Sequence, residues 1–152
     1  MTRDEQIEAV RAVLRGEQFA VFAFAGAPGA APYSGVMFCA ETPDLDLIFA
    51  TSPGALKGQY LSSGNGACAL LDTRGVGLAN MAEFARVAVQ GQIERVTDPD
   101  RLADLHEVYR EKIPPAGAFL DREGVQTFRL IPSLIVYSRG FGERFEISFP
   151  AT

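Results

Sequence analysis

Nine residues at the end of an apolar run, "ATSPGALKG" (Ala50 to Gly58), gather the groups that hold a phosphate. Ser52 is a good helix N-cap, and Pro53 suits the first helical position because its missing N–H would go unpaired there anyway. The backbone N–H groups that follow point outward, with the positive end of the helix dipole behind them. Thr51 and Ser52 add hydroxyls, Gly54 permits close approach, and Lys57 reaches back over the same spot. The same residues also serve as ordinary strand-to-helix punctuation beside a solvated lysine. From them alone both readings stand. The stretch is neither a Walker loop nor a dinucleotide fingerprint, since the GxxxxGK[ST] and GxGxxG spacings are both missing here.

Other chemistries find little support. His106 is the single histidine, and Cys39 and Cys68 sit inside apolar runs without metal-ligand spacing. The cysteines read as small buried hydrophobes, no metal site is expected, and Ser-His-Asp catalysis is disfavoured. No residue stands out as a proton donor, so the catalytic residues are left unassigned. Tyr33, Tyr60, Tyr109 and Tyr137 read as core or interface aromatics, and Asp44, Asp46, Asp98 and Asp100 as turn and cap residues. A net charge of −5 over 152 residues gives no broad electrostatic claim on nucleic acid or acidic membranes. No apolar run is long enough to span a bilayer, and the charged, helix-periodic opening is unlike a secretory signal. The cytoplasm is the expected location.

The elements that must position the seat can be read from periodicity. Thr2 and Glu5 form a capping box for a first helix with Ile7, Val10 and Leu14 on one face and Gly16 at its end. Strands are expected at Phe19–Ala25, Tyr33–Ala40 and Asp46–Thr51, followed by a short helix from about Pro53 to Leu61 and a strand at Ala67–Asp72. A Gly-containing loop, "TRGVGLANMAE", precedes the clearest strand, Arg86–Val96. There Val87, Val89 and Ile93 alternate with polar residues, and Gly91 signals a bulge or a close approach. A second long helix starts at Asp98–Pro99, carries Leu102, Leu105, Val108 and Tyr109 on one face, and stops at Pro114–Pro115. Two last strands meet near "SRGFGE", with Pro132 marking a bulge or an edge. Six or seven strands with mostly short connections predict a mainly β, antiparallel split barrel of Greek-key type with short peripheral helices, one domain over residues 1–152.

The order of these features resembles the pyridoxamine 5'-phosphate oxidase-like, FMN-binding split-barrel family. "TSPGALK" is similar to that family's Thr ending the third strand with a Ser-x-Lys on the helix, and "ACALLDTRG" and "VAVQGQIERV" to its next two strands. The resemblance implies a homodimer with FMN in a cleft between subunits. It implies a phosphate held by Lys57 with Thr51 and Ser52 beside it, reached from Ala50, and Ser34, Gly35, Val36 and Met37 along the flavin. Arg86 would face the flavin ring, where a cation favours the anionic reduced form. Ala55 and Leu56 depart from the family's serine and arginine, and the C-terminal Trp and Arg-x-His of true pyridoxamine phosphate oxidases are absent. The expected role is therefore an oxidoreductase, flavin reductase-like, moving electrons between reduced nicotinamide and a small acceptor. A non-catalytic carrier or sensor of flavin, deazaflavin or haem is the alternative, since related barrels bind those cofactors.

Overall fold

The computed structural model describes residues 1–52, 60–62 and 64–150. The expected capping box opens α1 (Arg3–Gly16): the Glu5 N–H donates to Thr2 Oγ1 (3.2 Å) and the Thr2 N–H to Glu5 Oε2 (2.9 Å). Among the described residues eight strands follow, all paired antiparallel. They are β1 (Phe19–Phe24), β2 (Tyr33–Phe38), β3 (Ala40–Glu41), β4 (Leu47–Thr51), β5 (Gly66–Asp72), β6 (Ala85–Val96), β7 (Gln126–Arg139) and β8 (Glu143–Ser148). Helices α2 (Pro99–Lys112) and α3 (Gly117–Leu120) lie between β6 and β7.

The strand order β2-β1-β5-β6-β7-β4-β3, with β8 added beside β7, makes a curled sheet whose two ends are consecutive in the chain. The run Tyr33–Glu41, which reads as one strand to Ala40, is broken at Cys39. Its first part pairs with β1 (Phe19 opposite Phe38) and its second with β4 (Ala40 opposite Ile48). The Cys39 N–H leaves the β4 partner and donates to Gln18 O (3.0 Å). One bent segment thus joins the two edges of the sheet, and β2 and β4 diverge beyond the bend. That divergence is the split in the barrel.

Side-chain alternation gives the sheet two cores. Phe22, Phe24, Phe49, Phe128, Leu47 and Ile93 fill the inside, and α1 adds Val10, Val13 and Leu14 to them. On the outside, α2 and the turn after it place Leu105, Tyr109, Ile113, Ala116 and Leu120 over Ala40, Ile48 and Val96. Pro114–Pro115 does end α2, but the chain resumes as a single 3-10 turn (Pro114–Ala116) and then α3, which the sequence reading did not foresee.

Gly91 and Pro132 prove to be one feature. The β6–β7 register passes from Gln90 opposite Leu134 to Gly91 opposite Pro132, leaving Ser133 as the extra residue of a bulge. A Cβ on Gly91 would lie 1.8 Å from the carbonyl oxygen of Ile131, so no side chain fits. Gly91→Ala should cost about 3 kcal/mol or more in urea or thermal unfolding. Gly66→Ala, where a Cβ meets nothing within 4 Å, should cost no more than about 1 kcal/mol.

Candidate cleft at the split

Where β2 and β4 part, a cleft of about 360 Å³ opens, lined by Val36, Met37 and Phe38 on one side and Ala50 on the other. Tyr109 of α2 and Pro115, Ala116 and Phe119 of the following turns roof it. Its walls are apolar, but β2 is an edge strand that, among the described strands, pairs with β1 alone. Half of its backbone N–H and C=O groups therefore face away from β1, on the side of the split. An apolar slot bordered by a strand edge whose donors and acceptors point away from β1 suits a flat heterocycle with a polar edge. The phenol of Tyr109 is pushed up to about 12 by burial, so it stays protonated and can only act as a neutral hydroxyl.

The structure brings together some of the residues chosen from sequence and separates others. Val36, Met37 and Ala50 line the cleft. Ser34 and Gly35 lie further along β2, opposite Ala23 and Phe22, and are not among its lining residues. Thr51 ends β4 on the buried face shared by Leu47 and Phe49, and Ser52 beyond it is exposed. Lys57, with most of the helix expected from Pro53 to Leu61, lies outside the described residues.

Arg86 is elsewhere. It faces Ser138 across the sheet, whereas Ala50 is level, through Thr127, with Val96. Ten residues of β6 separate those levels, roughly 33 Å of strand. Arg86 is held from two sides: Nε donates to Ser138 Oγ (2.9 Å), Nη2 donates to Gly140 O (3.0 Å), and the guanidinium lies 5.0 Å from the centre of the Phe84 ring. It ties the β7–β8 hairpin tip to the loop before β6.

Tyr109, Pro115, Ala116 and Phe119 escaped notice as lining residues. Tyr109 reads from sequence as one more apolar position of an amphipathic helix, and "PPAGAFL" as a helix stop. Only the unusual apolar character of that short turn hinted at a wall. Asp46, read as a turn residue, is instead paired with Arg129 (2.6 Å), which also forks onto Glu94 (3.0 and 3.1 Å), joining β4, β7 and β6 on the outer side.

His106 sits one turn from Tyr109 on α2, with Nε2 2.8 Å from the buried Thr127 Oγ1. No group of three or more metal-binding side chains occurs among the described residues, and no helix among them is long and apolar enough to cross a membrane. Burial, and then the neighbouring Arg110, hold the His106 imidazole below its ordinary value of 6.5, with Asp121 pulling weakly the other way. The unfolded chain takes up a proton first as pH falls, so this residue withdraws stability below the ordinary value until its folded pKa is passed. Thermal melts from about pH 8 to about pH 5 should show that loss. His106→Gln, which can keep the Thr127 contact, should remove this part of it.

No protein-family model matches the chain, and no curated protein matches it in sequence. Solved structures do. A haem-binding protein from Mycobacterium smegmatis superposes with a TM-score of 0.81 at 17% identity, over 97% of this chain and 60% of that one. The chain therefore spans three fifths of that protein's length. A member of the pyridoxinephosphate oxidase family from Clostridium acetobutylicum, related to a general stress protein, gives 0.68 at 13% identity over 97% and 96%. A FAD-binding protein from Mesorhizobium loti gives 0.66 at 16% identity over the same shares. The chain has the pyridoxamine 5'-phosphate oxidase-like split-barrel fold, shared by proteins that bind flavin and proteins that bind haem.

Proposed function

We propose that this protein binds FMN in the cleft between β2 and β4 and works as a flavin-dependent oxidoreductase with a reduced nicotinamide as electron donor. The observation that carries this reading is the edge of β2: backbone groups that point away from β1 and border an apolar slot, in a fold shared with flavin-binding proteins. FMN, when bound, supplies hydride-level redox chemistry at its ring. The chain's part is to hold and surround it. Val36, Phe38 and Phe119 exclude water, the β2 backbone orients the polar edge, and Tyr109 offers a neutral hydroxyl. Ser52 and Lys57 are the residues that would hold the phosphate.

The haem reading draws on the Mycobacterium smegmatis neighbour, but the residues suit haem poorly. Haem iron takes its ligand from His, Cys thiolate, Tyr or a Met/His pair. Here His106 is engaged by Thr127, Cys39 is fully buried with its thiol pushed up to about 12, and the Tyr109 phenol is held protonated. Met37 lines the cleft with no imidazole across from it.

A homodimer is part of the proposal. The outer face of β1, β2 and β5 exposes Phe19 (52%), Val36 (65%), Phe38 and Leu70, with Phe19 stacked on Phe38 at 4.4 Å. Val36 belongs both to this strip and to the cleft, so a second copy covering the strip also closes the cleft's open side. A contiguous exposed apolar strip of that kind suits an interaction site.

Purified protein should be yellow and release FMN on denaturation, and Lys57→Ala should hold FMN at least about tenfold more weakly, as loss of a charged hydrogen bond implies. A colourless protein that takes up neither FMN nor deazaflavin would end the reading. By light scattering the wild type should be a dimer, and Leu70→Asp should shift it toward monomer. A wild type that is already monomeric removes the dimer from the proposal.

A further inference from the structure

Beside one wall residue of the cleft stands a cation that the reading above does not use. Phe119, in α3, forms part of the wall, and the guanidinium of Arg122 stands 5.8 Å from the centre of its ring. The chain is held there by its own turn: the Arg122 N–H donates to Phe119 O (3.2 Å), and the Val125 N–H to Arg122 O (3.3 Å). Nearby Arg110 is neutralised by Asp121, whereas Arg122 has no carboxylate partner among the described residues. An aromatic face beneath a guanidinium is attractive in itself and leaves the planar fork open on its outer side. That fork matches the oxygens of a phosphate. In a chain of net charge −5, an anionic ligand needs such a local cation to approach at all.

We propose that Arg122, laid over Phe119 at the lip of the β2–β4 cleft, is a specificity-determining residue that takes a phosphate of a nicotinamide nucleotide. The inference rests on reading the cleft as the flavin site. Ser52 follows β4, whose Ala50 lines the cleft, and that reading reserves Ser52 and Lys57 for the phosphate of FMN, so Arg122 serves the second ligand. The nucleotide lies with its ring toward the apolar wall and its phosphate on the exposed fork.

Calorimetric titration of the purified protein with NADP⁺ tests this, using nicotinamide riboside as the phosphate-free control. Wild type should bind NADP⁺ with an affinity that weakens as salt rises. Arg122→Gln should raise its Kd roughly ten- to a hundredfold, as loss of a charge-assisted hydrogen bond implies. Arg122→Lys should recover part of the loss, and nicotinamide riboside should distinguish none of the three. Arg122 is exposed, so the variants should melt with the wild type. Unchanged NADP⁺ binding in Arg122→Gln, or none in the wild type, overturns the inference. So does an Arg122→Gln protein that sheds FMN while keeping its NADP⁺ affinity, since the arginine would then serve the flavin phosphate. The flavin reading is scored separately by colour: a colourless protein whose NADP⁺ binding still depends on Arg122 loses that reading and keeps this one.

Discussion

The barrel is closed by covalent continuity at one buried corner. Residues Tyr33 to Glu41 belong to both ends of the sheet, and the turn between those memberships is made at Cys39. The residue is fully buried, and its backbone N–H is handed from the β4 side to Gln18 O. A small side chain suits a corner packed on every side, and burial keeps the thiol protonated and inert. Because β2 must turn toward β1 there, it cannot continue along β4. The cleft is the geometric remainder of that choice, with the outer edge of β2 beside it.

Around the corner, long polar side chains lock elements that apolar packing alone would leave free to slide. Lys112, at the end of α2, donates to Leu14 O (2.6 Å) and Glu41 Oε1 (2.8 Å), so one ammonium ties both long helices to β3. Arg129 does the same on the outer face, bridging Asp46 and Glu94 across three strands. Pairs this poorly exposed repay their desolvation only when geometry is good, and removing one partner leaves a charge stranded. Their contribution is to fix register on the side of the sheet where α2 must carry Tyr109 to the cleft.

Much of this architecture was legible. The capping box of α1, the Asp98 cap and Pro99 start of α2, and the strand-rich order with short turns follow from local rules, because those interactions lie within a few residues of each other. Gly91 and Pro132 were each flagged as irregular, yet that they face one another depends on a register set by the whole β6–β7 ladder. The Cys39 break was not visible, since Tyr33–Ala40 is uniformly suited to a strand and only the competition between β1 and β4 divides it. For the cleft, Val36, Met37 and Ala50 were identified and are brought together. The strand order places Arg86 on β6, but its contacts with Ser138, Gly140 and Phe84 cannot be read there, since those residues meet it only through the β6–β7 pairing and the turns around it. The roof residues Tyr109 and Phe119 could not be assigned to the cleft without knowing how α2 crosses the sheet.

The same corner imposes an order on how the chain is finished. Among the described strands β4 pairs with two neighbours: the two-residue β3, and β7, whose Leu130 meets Leu47 from 83 residues further along. While the chain is being made, β1, β2 and β5 can assemble from contacts between residues 19 and 72, but β4 is left holding its hydrogen-bonding groups to water until β7 arrives. Closing so long a loop is slow, because its entropy is lost before the contacts repay it. The wall of the cleft that bears Ala50 is thus among the last parts of the molecule to set. A nascent chain stopped short of Gln126 would carry β2 with its edge exposed and no opposite wall, a half-built pocket prone to pairing with other strands.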